Sequence, residues 1–173
     1  MTWQMKLNEA LLNLEKFKNN FKKRENLFFI ILIIVIFFID RVTKNKILTD
    51  YGVNIHFINN YLNIDLIWNT GIGFGIFSAS SILAYSFISF IIGSVILILV
   101  YYMIISQIFD KLIYSLIIGG ALGNFYDRLI FNAVPDFIDL HYNEFHWFTF
   151  NFADIVISLG VILFFAKNFC EKN

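Results

Sequence analysis

FNFADIVISLGVILFFAK, residues 150–167, carries one acid near its head and one base at its tail, with no charged residue between Asp154 and Lys167. A helix needs about 20 apolar residues to cross the roughly 30 Å of hydrocarbon in a bilayer. With its flanks, taken as 152–169, this stretch approaches that length. A carboxylate at the centre of a membrane helix costs about 2.5–3.5 kcal/mol. Even at the edge, Asp154 requires a reason.

Three further runs share this character: LFFIILIIVIFFIDRVTKNKIL (27–48), SILAYSFISFIIGSVILILVYYMII (81–105) and LIYSLIIGGALGNFYDRLIF (112–131). The first is not a cleaved signal peptide, because no small-residue cleavage site follows it and its end is charged. The whole chain is 58% hydrophobic and 15% charged, against about 25% charged in an ordinary soluble domain. The expected fold is an all-α integral membrane protein of four transmembrane helices with a small extracytoplasmic β-rich loop region. Residues 27–170 form the membrane domain and 1–26 a cytoplasmic N-terminal segment. Zero net charge implies no basic field for nucleic acid, and the single cysteine, Cys170, excludes an internal disulfide.

Orientation follows from the cations. Residues 1–26 hold six: Lys6, Lys16, Lys18, Lys22, Lys23 and Arg24. The positive-inside rule places that end in the cytoplasm, and four spans return the C-terminus there. The connections 49–80 and 132–151 then lie outside. Within the N-terminal segment, Trp3, Leu7, Ala10, Leu14, Phe17 and Phe21 recur at steps of four and three. That spacing predicts a helix lying on the anionic inner leaflet; a solvated tail is the alternative. Asn59-Asn60 is a candidate turn between two short strands of a sheet on the outer surface.

The polar residues in and beside the spans converge on one depth. Asp40 and Lys44 fall late in the first span, Asn69 just before the second, and Asn124, Asp127 and Arg128 late in the third. Asp136 and Asp139 follow, and Asn151 and Asp154 open the fourth. Each has a bland account when taken singly. Asp127 beside Arg128 reads as a helix-end ion pair, Asp154 as a helix cap, and Asp139 as a solvated loop residue. A bundle of four helices has no need of such a cluster at one depth, so the grouping predicts a functional site.

Two carboxylates in a partly dry setting share a proton, because like charges a few ångströms apart cannot both ionise readily. The ionised member takes a proton from water, and the protonated one donates to a carbonyl oxygen or leaving amine. That is aspartyl-type amide hydrolysis. Asp136 and Asp154 are the best pair. Pro135, the only proline, fixes its own φ and favours an extended Val134, holding Asp136 at a set angle. Other chemistries fit less well. His141 and His146 with Asp139 and Glu144 lack H-E-x-x-H and tight ligand spacing. Ser78, Ser80 and Ser81 with Lys44 lack a nucleophile-elbow motif, and GIGFG (71–75) has no βαβ frame. Gly119 and Gly123 read as close helix packing.

Five blocks in order, DRVTK (40–44), NTGIGFGIF (69–77), GGALGNFYDRL (119–129), VPDFIDL (134–140) and FNFADIVIS (150–158), resemble the lipoprotein signal peptidase family, the signal peptidases II of bacteria. The resemblance covers roughly residues 27–170. It implies an aspartic endopeptidase of the cytoplasmic (inner) membrane with four spans, both termini cytoplasmic and the active site at the extracytoplasmic face. Its substrates would be diacylglyceryl-modified prolipoproteins, cleaved before the lipid-bearing cysteine. Asp136 and Asp154 would be catalytic. Asp40, Lys44, Asn69, Asn124, Arg128 and Asn151 would contact substrate or position the pair. Membrane lipids and prolipoproteins would be the partners of a monomer, with no metal or organic cofactor. Ile72-Gly73 stands where the family commonly has two alanines, and Pro135 where valine or isoleucine is usual. The rival readings are a small proton-coupled transporter and a non-catalytic assembly factor.

Overall fold

The computed structural model describes residues 3–21, 23–51, 55–71, 82–143 and 145–171. The glycines and serines of 72–81, and Glu144, lie outside them. Nine elements follow in order: α1 (Trp3–Phe21), α2 (Arg24–Asp50), β1 (His56–Asn59), β2 (Leu62–Asn69), α3 (Ile82–Ile105), α4 (Ile108–Phe131), β3 (Val134–Tyr142), β4 (Phe145–Phe150) and α5 (Phe152–Cys170). Four helices, α2, α3, α4 and α5, are long and apolar enough to cross a membrane. Their outward faces carry large apolar side chains such as Phe38, Leu97 and Phe165. Outward apolar faces suit lipid, which solvates them as well as a protein core does.

α4 is the central helix, packed against α2, α3 and α5. Its glycines make the approach possible. A methyl on Gly119 would stand 2.8 Å from Ile36 Cβ, and one on Gly120 would stand 2.6 Å from the backbone oxygen of Ala153. A methyl on Gly123 would collide with the Asp40 carboxylate. The same small residues that close the α2–α4 and α4–α5 seams thus bring Asp40 and the start of α5 against α4. Phe29, Ile33, Ile96, Met103, Ile104 and Ile118 fill the core between α2, α3 and α4.

One four-stranded antiparallel sheet, in the order β1-β2-β3-β4, caps one end of the bundle. The first hairpin falls where Asn59-Asn60 predicts a turn, and Asn59 Oδ1 accepts from the Tyr61 amide at 2.9 Å. The second hairpin differs from expectation. Residues 132–151, which read from sequence as a loop, supply β3 and β4. Asn132 ends α4 in the left-handed region at φ 53°, and Asn143 turns β3 into β4 at φ 52°. Asparagine tolerates that region better than other residues bearing a Cβ. Asp139 is consequently a buried strand residue, 1% exposed, not a solvated one.

The opposite end of the bundle holds a small polar group that hydropathy does not reveal. Asn26 and Lys111 are buried there, and Lys111 Nζ donates to Asn26 Oδ1 and to the Ile104 carbonyl. Asn26 lies 18 residues before Lys44 on the same helix, about 27 Å away at 1.5 Å per residue. The two polar ends are therefore separated by the apolar core.

Candidate active site

The ends of α2, α4, α5, β2 and β3 meet beneath the sheet, and their polar side chains form one continuous chain. It begins in a buried ion cluster. Asp127 accepts from Arg41 at 2.5 and 2.8 Å and from Lys44 Nζ at 2.7 Å. Asp40 lies 2.6 Å from Arg41 and 3.0 Å from Lys44 Nζ. Arg41, Lys44 and Asp40 share one face of α2 through their i, i+1 and i+4 spacing. Asp40, Lys44 and Asp127 are fully buried. Two cations thus balance two carboxylates out of water. A buried charge is tolerated only when paired and hydrogen-bonded. Sequence alone does not single out Arg41. It marks Asp127 as a partner for Arg128, but among the described residues the ion pairs of Asp127 are with Arg41 and Lys44 instead.

From this cluster the chain runs toward the two candidate carboxylates. Lys44 Nζ also donates to Asn124 Oδ1 at 2.7 Å. That fixes the amide with its Nδ2 toward Asp154, whose Oδ1 accepts at 2.8 Å. Asp154 Oδ2 accepts from the backbone N–H of Asn151 at 3.2 Å, and Asn151 Oδ1 accepts from the Asp154 N–H at 3.1 Å. This reciprocal capping box opens α5 and belongs to the S/T/N-x-x-D/E kind. The helix-cap account of Asp154 is correct as far as it goes. Asn151 also reaches the other carboxylate, since its Nδ2 donates to Asp136 Oδ1 at 2.6 Å. Asn69 Nδ2 donates to Asp136 Oδ2 at 2.8 Å. Asn69 Oδ1 accepts from Gly71 N–H at 2.8 Å, and Arg128 donates to the Gly71 carbonyl at 3.0 Å.

Asp136 and Asp154 thus touch the same asparagine and line the same cavity, of about 270 Å³. Asn69, Asn124, Arg128 and Ser158 share its wall. Asp40 and Lys44 are not on that wall among the described residues; they stand behind Asn124. Asn151 is fully buried beneath the pair. Beside Asp154 a second, largely apolar groove of about 370 Å³ runs along α5 past Phe150, Ile155, Leu159 and Ile162.

Burial pushes the Asp136 carboxyl up to about 6, and the nearby Asp154 pushes the same way. The amides of Asn69 and Asn151 and the Lys44 ammonium oppose the rise without cancelling it. In the unfolded chain the group would titrate near 3.8. The folded protein therefore holds a proton that the unfolded chain releases, and stability from this group falls as pH rises from about 3.8 through about 6. Thermal melting in detergent should drop over that window. Asp136→Asn, which cannot ionise, should flatten the drop; an equal drop in the variant would contradict the buried-carboxyl account.

The chain as a whole is similar to known proteins. The model of the family described as signal peptidase (SPase) II matches residues 32–170. The lipoprotein signal peptidase of Pelagibacter ubique (strain HTCC1062) is 45% identical over 149 residues, covering 80% of this chain and 89% of that one. That of Anaplasma marginale (strain Florida) is 39% identical over 132 residues, covering 75% and 76%. A bacterial membrane enzyme solved by the in meso method at 2.3 Å resolution superposes with a TM-score of 0.73 at 31% identity, over 84% of this chain and 89% of that one.

Proposed function

We infer the function from the premise that this chain belongs to the signal peptidase II family: it is a multi-pass membrane peptidase that removes the signal peptide from prolipoproteins. The substrate is the diacylglyceryl-modified precursor, cut before its lipidated cysteine. The reaction is of the aspartic type, with Asp136 and Asp154 as the catalytic pair. The observation that carries this pairing is their shared hydrogen-bond partner, the buried Asn151, together with the common cavity that both carboxylates line.

With one proton between them, the ionised member withdraws a proton from a water molecule as that water attacks the scissile carbonyl. The protonated member donates to the carbonyl oxygen, and the tetrahedral intermediate collapses as the leaving amine takes a proton. The two titrate as a pair that shares the proton. Asn69, Asn124 and Arg128, on the cavity wall, contact the substrate main chain. Asp40 and Lys44 act from behind, by orienting Asn124. The apolar groove along α5 suits an acyl chain or the signal helix.

The cluster of cations before α2 argues for cytoplasmic termini, an inner-membrane location and a site on the extracytoplasmic side. There a lipid-held precursor presents its scissile bond at the membrane edge. The partners are then membrane lipids and prolipoproteins, and one chain contains the whole candidate site. A proton-coupled transporter would need a polar path between the two ends, where the described core is Phe29, Ile33, Ile96, Met103, Ile104 and Ile118.

The test is precursor size in cells depleted of prolipoprotein processing. Expression of this chain should restore the mature form. Precursor that stays full length, with the protein shown to be inserted, overturns the reading.

A further inference from the structure

We propose that Asp139, His141 and His146 form a transition-metal site of the zinc class at the far end of the β3–β4 hairpin. One ligand atom from each lies within 4.8 Å of the others. Chain spacing alone argues against such a site, but the antiparallel register sets His141 opposite His146. Asp139 precedes His141 by two, and so points to the same side of β3.

The distances suit a tetrahedral ion. Ligand atoms held at about 2.0–2.1 Å from zinc lie about 3.3 Å apart. Asp139 Oδ2 is 2.7 Å from His146 Nδ1 and 3.7 Å from His141 Nδ1, values that bracket this spacing. The two imidazole rings stack with centroids 5.4 Å apart, which sets both histidines beside the same carboxylate. Two imidazole nitrogens and one carboxylate favour zinc over calcium or magnesium, which take oxygen ligands.

A simple Asp139–His146 hydrogen bond leaves two buried atoms unexplained. Asp139 Oδ1 and His141 Nδ1 make no hydrogen bond among the described residues, although these residues are 1% and 5% exposed. An unsatisfied buried polar atom costs about 1–3 kcal/mol. A metal ion held between them takes the His141 Nδ1 lone pair and draws on the Asp139 carboxylate, whose Oδ2 lies nearest both imidazoles. Asn63 Nδ2, 3.4 Å from Asp139 Oδ2, supports the carboxylate from β2. The half-exposed His146 side chain leaves an entry path for an ion.

None of the three residues lines the cavity between Asp136 and Asp154. Their hairpin nevertheless links the two halves of the candidate dyad: β3 carries Asp136, and β4 leads directly into Asn151, the cap of the helix that carries Asp154. Bound metal would clamp the hairpin and stabilise the native state by mass action.

The experiment uses tag-free full-length protein in detergent, stripped with chelator and titrated with zinc chloride against a colorimetric chelator. One zinc per chain and a rise in melting temperature are expected. Cobalt loaded in its place should show the visible bands of a tetrahedral site. His146→Ala, at a half-exposed position, and His141→Ala should each weaken binding by about 100-fold or more. Asp136→Asn and His56→Ala should retain it. Absence of zinc retention by the wild-type chain overturns the proposal. So does retention undiminished in His146→Ala, or retention lost in Asp136→Asn, which would place the ion at the catalytic pair.

Discussion

Asp136→Asn and Asp154→Asn should each lower the rate of prolipoprotein cleavage by about 10³-fold or more, while the protein remains inserted in the membrane. General acid–base catalysis contributes about 10²–10⁴-fold, and each carboxyl serves in both halves of the proton exchange. Because the two act as a unit, the double variant should be scarcely slower than either single one. The amide differs from the carboxylate in a second way. Asp136 accepts from Asn151 on one oxygen and from Asn69 on the other. An asparagine there turns one acceptor into a donor that faces another donor. The same conflict arises at Asp154, between Asn124 and the Asn151 amide. The melting temperature of each variant must therefore be measured beside its activity. Activity within tenfold of wild type in either variant, read as mature product formed per unit of purified enzyme, would dismiss the pair.

Asp127→Ala should destabilise the fold by about 3–5 kcal/mol, the usual cost of breaking a buried ion pair by removing one partner. In wild type Arg41 and Lys44 face Asp40 and Asp127. The variant leaves two cations on one carboxylate, with Lys44 and Asp40 wholly out of water. For a chain of this length, a loss of that size lowers the melting temperature by roughly 10 °C. Asp50→Asn, at an exposed end of α2, is the control and should stay within about 0.5 kcal/mol. Activity should fall too, because Lys44 no longer holds Asn124 against Asp154. A melting point in Asp127→Ala like that of the control would show that the cluster does not hold α2 to α4.

The residues of the candidate site are mostly legible in the sequence as a set and poorly legible as an arrangement. Asp154, Asn124 and Arg128 stand out because polar residues in apolar spans are expensive and few, and Asp136, Asn69 and Asn151 because they flank those spans at the same depth. Arg41 does not stand out, since a cation at the end of a span reads as an interfacial anchor. Only its rotation toward Asp127 makes it part of the network. Asp139 carries no signal beyond its charge, and its burial depends on a strand pairing that asparagine turns at 132 and 143 make possible.

Taken alone, the residue order determined the four spans and the clustering of their polar ends. It also marked Asp154 as a helix cap, because hydropathy sums over neighbours and an anion at a helix start is a local feature. Only the tertiary structure decided that Asp127 belongs to Arg41 and Lys44, that His146 meets Asp139, and that Asp40 and Lys44 stand behind the cavity instead of on its wall. Those pairings depend on how each helix is rotated, on glycines that set how closely α4 approaches its neighbours, and on the register of one strand against the next. Contacts of that kind join residues far apart in the chain, and no local spacing encodes them.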